Sequence, residues 1–156
     1  MKYKNVKHKF IWFIPFIIWI VLFFLFHTVF FLSRVPSNSM EPTIKAHSYC
    51  IGKRTYKKLQ SGDIIIFRKN DCYYIKRIIG CPGDTVQIKD NQILLNDNDL
   101  SEPYVLSWSD NLFSKKYCVP VHSYFVLGDN RDHSFDSRYY DETFISEDDI
   151  VAKIIP

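Results

Sequence analysis

Residues 73–84, YYIKRIIGCPGD, decide how the chain folds. Tyr73 to Ile79 are rich in β-branched and aromatic side chains, the run stops at Gly80, and Pro82-Gly83-Asp84 forms the next turn. That pattern predicts a buried strand closed by a tight turn. Outward from it the same rhythm repeats. Residues 64–67 (IIIF) follow the turn Ser61-Gly62-Asp63, while residues 85–89 and 92–95 flank Asp90-Asn91, a two-residue hairpin connection. Residues 117–121, 124–127 and 150–155 are further strands, and the polar stretch 96–114 has no period and reads as a loop or small excursion. No internal repeat or low-complexity tract interrupts the series. The expected fold is mostly β, a compact folded-sheet or barrel-like domain, behind one N-terminal transmembrane helix.

The helix is expected over residues 10–32, FIWFIPFIIWIVLFFLFHTVFFL, a run of 23 residues without a charge. At about 1.5 Å per residue it reaches roughly 35 Å, enough for a hydrocarbon core of about 30 Å. A cleaved secretory signal is the rival reading. The apolar run exceeds the usual h-region of about 7–15 residues, and Phe31 with Ser33 makes no small-x-small cleavage site, so the segment reads as a retained anchor. Lys2, Lys4, Lys7 and Lys9 precede it, placing residues 1–9 in the cytoplasm and residues 33–156 outside. The first 34 residues hold five of the 20 basic residues, leaving 15 against 17 acidic ones beyond Arg34. The overall charge of +3 therefore belongs to the anchor and points to the bilayer, not to nucleic acid. Cys50, Cys72, Cys81 and Cys118 match no zinc spacing, and no metal is implied. In an oxidising compartment they would be disulfides or free buried thiols.

Two further stretches carry chemistry. In residues 36–44, PSNSMEPTI, Pro36 and Pro42 bracket Ser37-Asn38-Ser39-Met40 and hold them in a stiff, irregular loop that can expose a hydroxyl. A serine hydroxyl needs an adjacent base to act as a nucleophile. Lys76 lies inside the apolar run of the predicted strand, on one face with Tyr74 and Ile78, and Arg77 falls on the opposite, solvated face. Burial favours the neutral amine, which can then serve as that base. Pattern alone favours an edge-strand lysine reaching for solvent at Lys76 and a turn residue at Ser39.

PSNSMEPT, YIKRIIG and residues 128–138, GDNRDHSFDSR, in that order behind an apolar segment, resemble the type I signal peptidases. The resemblance implies a membrane-bound serine endopeptidase that cleaves signal peptides from exported precursor proteins through an acyl-enzyme. Its catalytic domain would lie outside the bacterial cytoplasmic membrane. Ser39 would be the nucleophile and Lys76 the general base, with the Ser39 amide and the Ser37 hydroxyl as oxyanion donors. Ser134 would orient the lysine amine, Asp136 and Arg138 would pair and brace the site, and Met40, Tyr74 and Ile75 would line shallow pockets for small side chains. No cofactor is required. His133 stands where the family usually has asparagine, which leaves a Ser–His mechanism as an alternative base assignment. A dedicated peptidase maturing conjugative pilin subunits, a self-cleaving Ser–Lys repressor and a catalytically dead membrane-tethered binding protein are the competing functions. The anchor opposes the repressor, and the presence of Ser39, Lys76 and Ser134 opposes the dead relative.

Overall fold

The computed structural model describes residues 12–106, 108–109 and 114–155. Helix α1 spans Ile14–Val29, with Pro15 in its first turn, where a missing amide donor costs least. The chain turns extended at Phe30, and β1 (Phe30–Arg34) pairs antiparallel with β2 (Tyr49–Lys53). Residues 10–32 are therefore not one helix throughout. Phe30, Phe31 and Leu32 give their backbone groups to Lys53, Gly52 and Ile51 of β2, and the β-sheet outcompetes continuation of the helix. The 16 residues of α1 rise about 24 Å, and no helix among the described residues is long and apolar enough to cross a membrane. Residues 10 and 11 of the apolar run, and the basic segment 1–9, lie outside the described residues. None of the side chains of α1 is buried.

Beyond β2 come β3 (Ile64–Lys69), β4 (Cys72–Gly80), β5 (Thr85–Lys89), β6 (Gln92–Leu95), β7 (Asn98–Asp99), β8 (Lys115–Cys118), β9 (Ser123–Leu127), β10 (Ile145–Ser146) and β11 (Ile150–Ile154). They build a seven-stranded sheet in the order β1-β2-β11-β3-β4-β9-β10 and a four-stranded sheet in the order β7-β6-β5-β8. Every pairing among the described residues is antiparallel. The fold is mostly β as expected, but the sheets stay open at their edge strands and form no closed barrel. Turn chemistry sets the registers. Asn70-Asp71, Asp90-Asn91 and Asn96-Asp97 all take the left-handed conformation that two-residue hairpin loops require. Gly83 adopts φ +88° in the turn closed by Asp84 N–H to Cys81 O, a position that suits glycine.

β4 is the strand that organises the core. Ile78 packs with Ile65, Phe67, Val126 and Ile145 on one face, and Ile75 packs with Ile66, Val35 and Met40 on the other. A third cluster, around Ile79, Val86, Phe125 and Leu127, joins the small sheet to the large one. β3 covers β4 along its whole length from Cys72 to Arg77, whereas β9 pairs with it only from Arg77 onward. Among the described residues, the edge of β4 from Cys72 to Lys76 is thus left without a strand on its second side, and it borders residues 35–40. All four cysteines are free, Cys50 buried and Cys72 and Cys118 exposed.

Candidate active site

The loop after β1 is fixed at its root by Val35 N–H to Ser48 O (2.9 Å) and His47 N–H to Val35 O (2.8 Å). Further on it curls through Glu41 N–H to Asn38 O and Ile44 N–H to Met40 O. Met40 is 1% exposed and acts as the plug that seats this loop on the sheet. Ser39, next to it, is buried, and its Oγ lies 2.7 Å from Nζ of Lys76 on β4. Ser37 Oγ lies 3.3 Å from Ser39 Oγ.

Lys76 is 4% exposed. Burial pushes its ammonium down from the usual range near 10.5 to about 8, with Arg138 adding to the fall and Asp136 and Asp129 working against it. An ammonium at this position donates to Ser39 Oγ; once deprotonated, the same nitrogen presents a lone pair to the serine hydroxyl. His133 is exposed, and its Nδ1 meets Asn130 Oδ1 at 3.2 Å rather than the serine.

Residues 128–138 form the wall behind this pair. Asn130 N–H donates to Ser39 O (3.0 Å), tying the wall to the serine loop. At Gly128 a Cβ would collide with Ser134 Oγ and with Ser39 O, so only glycine lets the segments approach this closely. Ser134 Oγ donates to Asp136 Oδ2 (2.6 Å), and Asp136 also accepts from Gly128 N–H and from Nε and Nη2 of Arg138. Asp136 and Arg138 form a fully buried pair, as the family resemblance implies; the hydrogen bond of the Ser134 hydroxyl runs to Asp136 rather than to the lysine amine.

Arg77 departs from the solvated position expected of it. Its side chain is 11% exposed and grips Asp129 with two hydrogen bonds, from Nε (2.8 Å) and Nη2 (2.6 Å), while its guanidinium stacks 3.9 Å from the Tyr104 ring. The stretch read as a featureless loop also reaches the wall. Glu102 forms a bidentate pair with Arg131, whose Nε donates to Gly128 O, and Trp108 lies against the same guanidinium. Nothing in the sequence around Glu102 marks it for this position.

A cleft of about 460 Å³ opens in front of Ser39, lined by Val35, Pro36, Ser37, Met40 and residues 72–76. It brings together Ser37, Ser39, Met40, Tyr74, Ile75 and Lys76, whereas Ser134, Asp136 and Arg138 stand behind. Among the described residues no cluster of His, Cys, Asp or Glu has the arrangement of a metal site.

A serine hydroxyl and a buried lysine meet in one cleft, and sequence comparison decides the family: the family model described as "Signal peptidase, peptidase S26" matches residues 8–155. The chain belongs to this family. Signal peptidase I of Bacillus amyloliquefaciens is 37% identical over 116 residues, covering 67% of this chain and 63% of the relative. The chain thus spans less than two thirds of that protein's length. Signal peptidase I V of Bacillus subtilis (strain 168) is 31% identical over 166 residues, covering 94% of this chain and 96% of the relative. The crystal structure of a signal peptidase I from Enterococcus faecalis V583 superposes with a TM-score of 0.55 at 32% identity, covering 65% of this chain and all of that one.

Proposed function

We propose that this member of the signal peptidase family is a serine endopeptidase that removes signal peptides from exported precursors, with Ser39 as nucleophile and Lys76 as general base. The observation that carries the reading is the 2.7 Å contact between Ser39 Oγ and a buried lysine whose ammonium is weakened to about 8. Lys76 takes the hydroxyl proton as Ser39 Oγ attacks the scissile carbonyl, and returns it to the departing amine. It then deprotonates the water that hydrolyses the acyl-enzyme. The Ser39 N–H and the Ser37 hydroxyl receive the oxyanion.

The substrate lies extended along the free edge of β4, where alternate backbone groups from Cys72 to Lys76 have no neighbouring strand to bond. Met40, Ile75 and Val35 are all buried below it and admit only small side chains. Residues 10–32 hold the domain against the outer face of the cytoplasmic membrane, the N-terminus inside. Within that segment α1 supplies the helical part, and the extended residues Phe30 to Leu32 continue it toward the membrane surface. This placement brings the cleft to where a precursor leaves the bilayer. The test is incubation of the detergent-solubilised chain with a secretory precursor, the cut located by mass spectrometry. A cut after a small-x-small segment that Ser39→Ala abolishes is the expected result; a cut that survives in Ser39→Ala overturns the assignment.

A further inference from the structure

The two faces of β4 offer an extended peptide very different surroundings. On one face Ile75 clusters with Val35 and Met40, a closed floor with no room for bulk. On the other, Tyr74 stacks on Phe67 (5.7 Å, 20°) and touches Tyr140 (6.3 Å). Tyr140 in turn meets Phe135 (5.3 Å), and Phe135 stacks on Tyr139 (6.0 Å, 14°). This second series runs from the cleft to the surface and stays open there, Phe135 being 63% and Tyr139 37% exposed.

Phe135 is no loose surface residue. It is joined directly to Ser134 and Asp136, both buried in the wall behind the catalytic pair. Tyr140 Oη donates to Phe135 O (3.2 Å), and Arg138 Nη2 donates to Ser134 O (3.3 Å), so the backbone that carries the ring is pinned on both sides. A fixed aromatic shelf beside a cleft loses little entropy when a side chain settles on it.

Side chains of an extended peptide alternate between faces. If the residue before the scissile bond points to the closed floor, the residue immediately preceding it points to the aromatic series. The geometry points to Tyr74, Phe135 and Tyr139 as a subsite for the middle residue of the small-x-small segment, one that favours an aromatic or large apolar side chain there. This rests on the signal-peptidase reading, and adds a preference at a position that small-residue recognition leaves open. An aromatic contact of this kind changes kcat/KM by about two- to tenfold.

The experiment uses the full chain in detergent and peptides of one sequence with Ala-x-Ala before the cut, x being Phe, Leu, Ala or Asp. Wild-type protein is expected to prefer Phe over Ala and to disfavour Asp, and the Phe/Ala ratio of kcat/KM is expected to fall to near one in Phe135→Ala or Tyr139→Ala. A wild-type ratio near one overturns the proposal, as does a ratio that survives in both variants. Ser39-dependent cleavage of the Ala-Ala-Ala peptide separates the two levels: if it persists without any preference at x, only the subsite is lost, and if it is absent, the peptidase reading fails first.

Discussion

The pH dependence of kcat/KM follows from the surroundings of Lys76. Only the neutral amine can take the Ser39 proton. With the ammonium weakened to about 8, about a tenth of the protein carries the free base at pH 7. At the ordinary value of 10.5 the fraction would be about three in ten thousand, so burial raises it by about 300-fold, equivalent to about 3 kcal/mol. Part of that gain is offset because a weaker base accepts the proton less avidly. Measured with a fluorogenic signal-peptide substrate from pH 6 to 10, kcat/KM is expected to rise tenfold per pH unit and level off near pH 8. Asp136→Asn supplies the perturbation. It removes a carboxylate that supports the ammonium and that offsets the buried Arg138 charge, and both effects favour the neutral amine. The limb therefore moves to lower pH, while the plateau falls because the wall behind Ser39 loses the group that holds Gly128 and Ser134. An acid limb above pH 10 in wild type, or one that moves to higher pH in Asp136→Asn, would refute the electrostatic reasoning.

Three other outcomes follow from the same contacts. Lys76→Met should abolish cleavage yet raise stability at pH 7 by up to about 3 kcal/mol. Between about 8 and 10.5 the unfolded wild-type chain binds more protons than the folded one, so wild-type stability climbs with pH there and the variant's should not, as denaturant titrations at pH 7 and 10 would reveal. Ser134→Ala deletes a hydrogen bond to a buried carboxylate, an interaction of about 1.5–3 kcal/mol, and turnover should drop by roughly ten- to a hundredfold without vanishing. Gly128→Ala drives a methyl group into Ser134 and the Ser39 carbonyl; a cost of about 1–3 kcal/mol in thermal unfolding with a larger loss of turnover is expected, and unaltered kinetics would show that the close approach is dispensable.

Much of this architecture was legible in the sequence because its signals are local. The apolar run ending at Gly80 announced β4, and Asp90-Asn91 announced the hairpin between β5 and β6. Two of the motif segments named residues that meet at the cleft, and the third named residues of the wall behind it, because each motif carries its own spacing. What stayed hidden depends on contacts between distant segments. Phe30 to Leu32 look helical in isolation, and become strand because β2 offers them hydrogen-bond partners about 20 residues later. Arg77 alternates onto a face that looks solvated, and is covered only because Asp129 and Tyr104 arrive there. Glu102 sits in a stretch without period, and its importance lies entirely in the Arg131 guanidinium it meets. An open pair of sheets and a closed barrel share one strand pattern, so closure could not be read from spacing.

The most direct test of the central claim is the site of acylation. An activated thioester peptide ending in alanine, quenched in acid after brief contact with the full chain, is expected to leave its acyl group on Ser39 at rates that fall with Lys76→Ala and persist in His133→Asn. Acyl transfer to another residue, or rapid acylation in Lys76→Ala with loss in His133→Asn, would contradict the Ser39–Lys76 assignment.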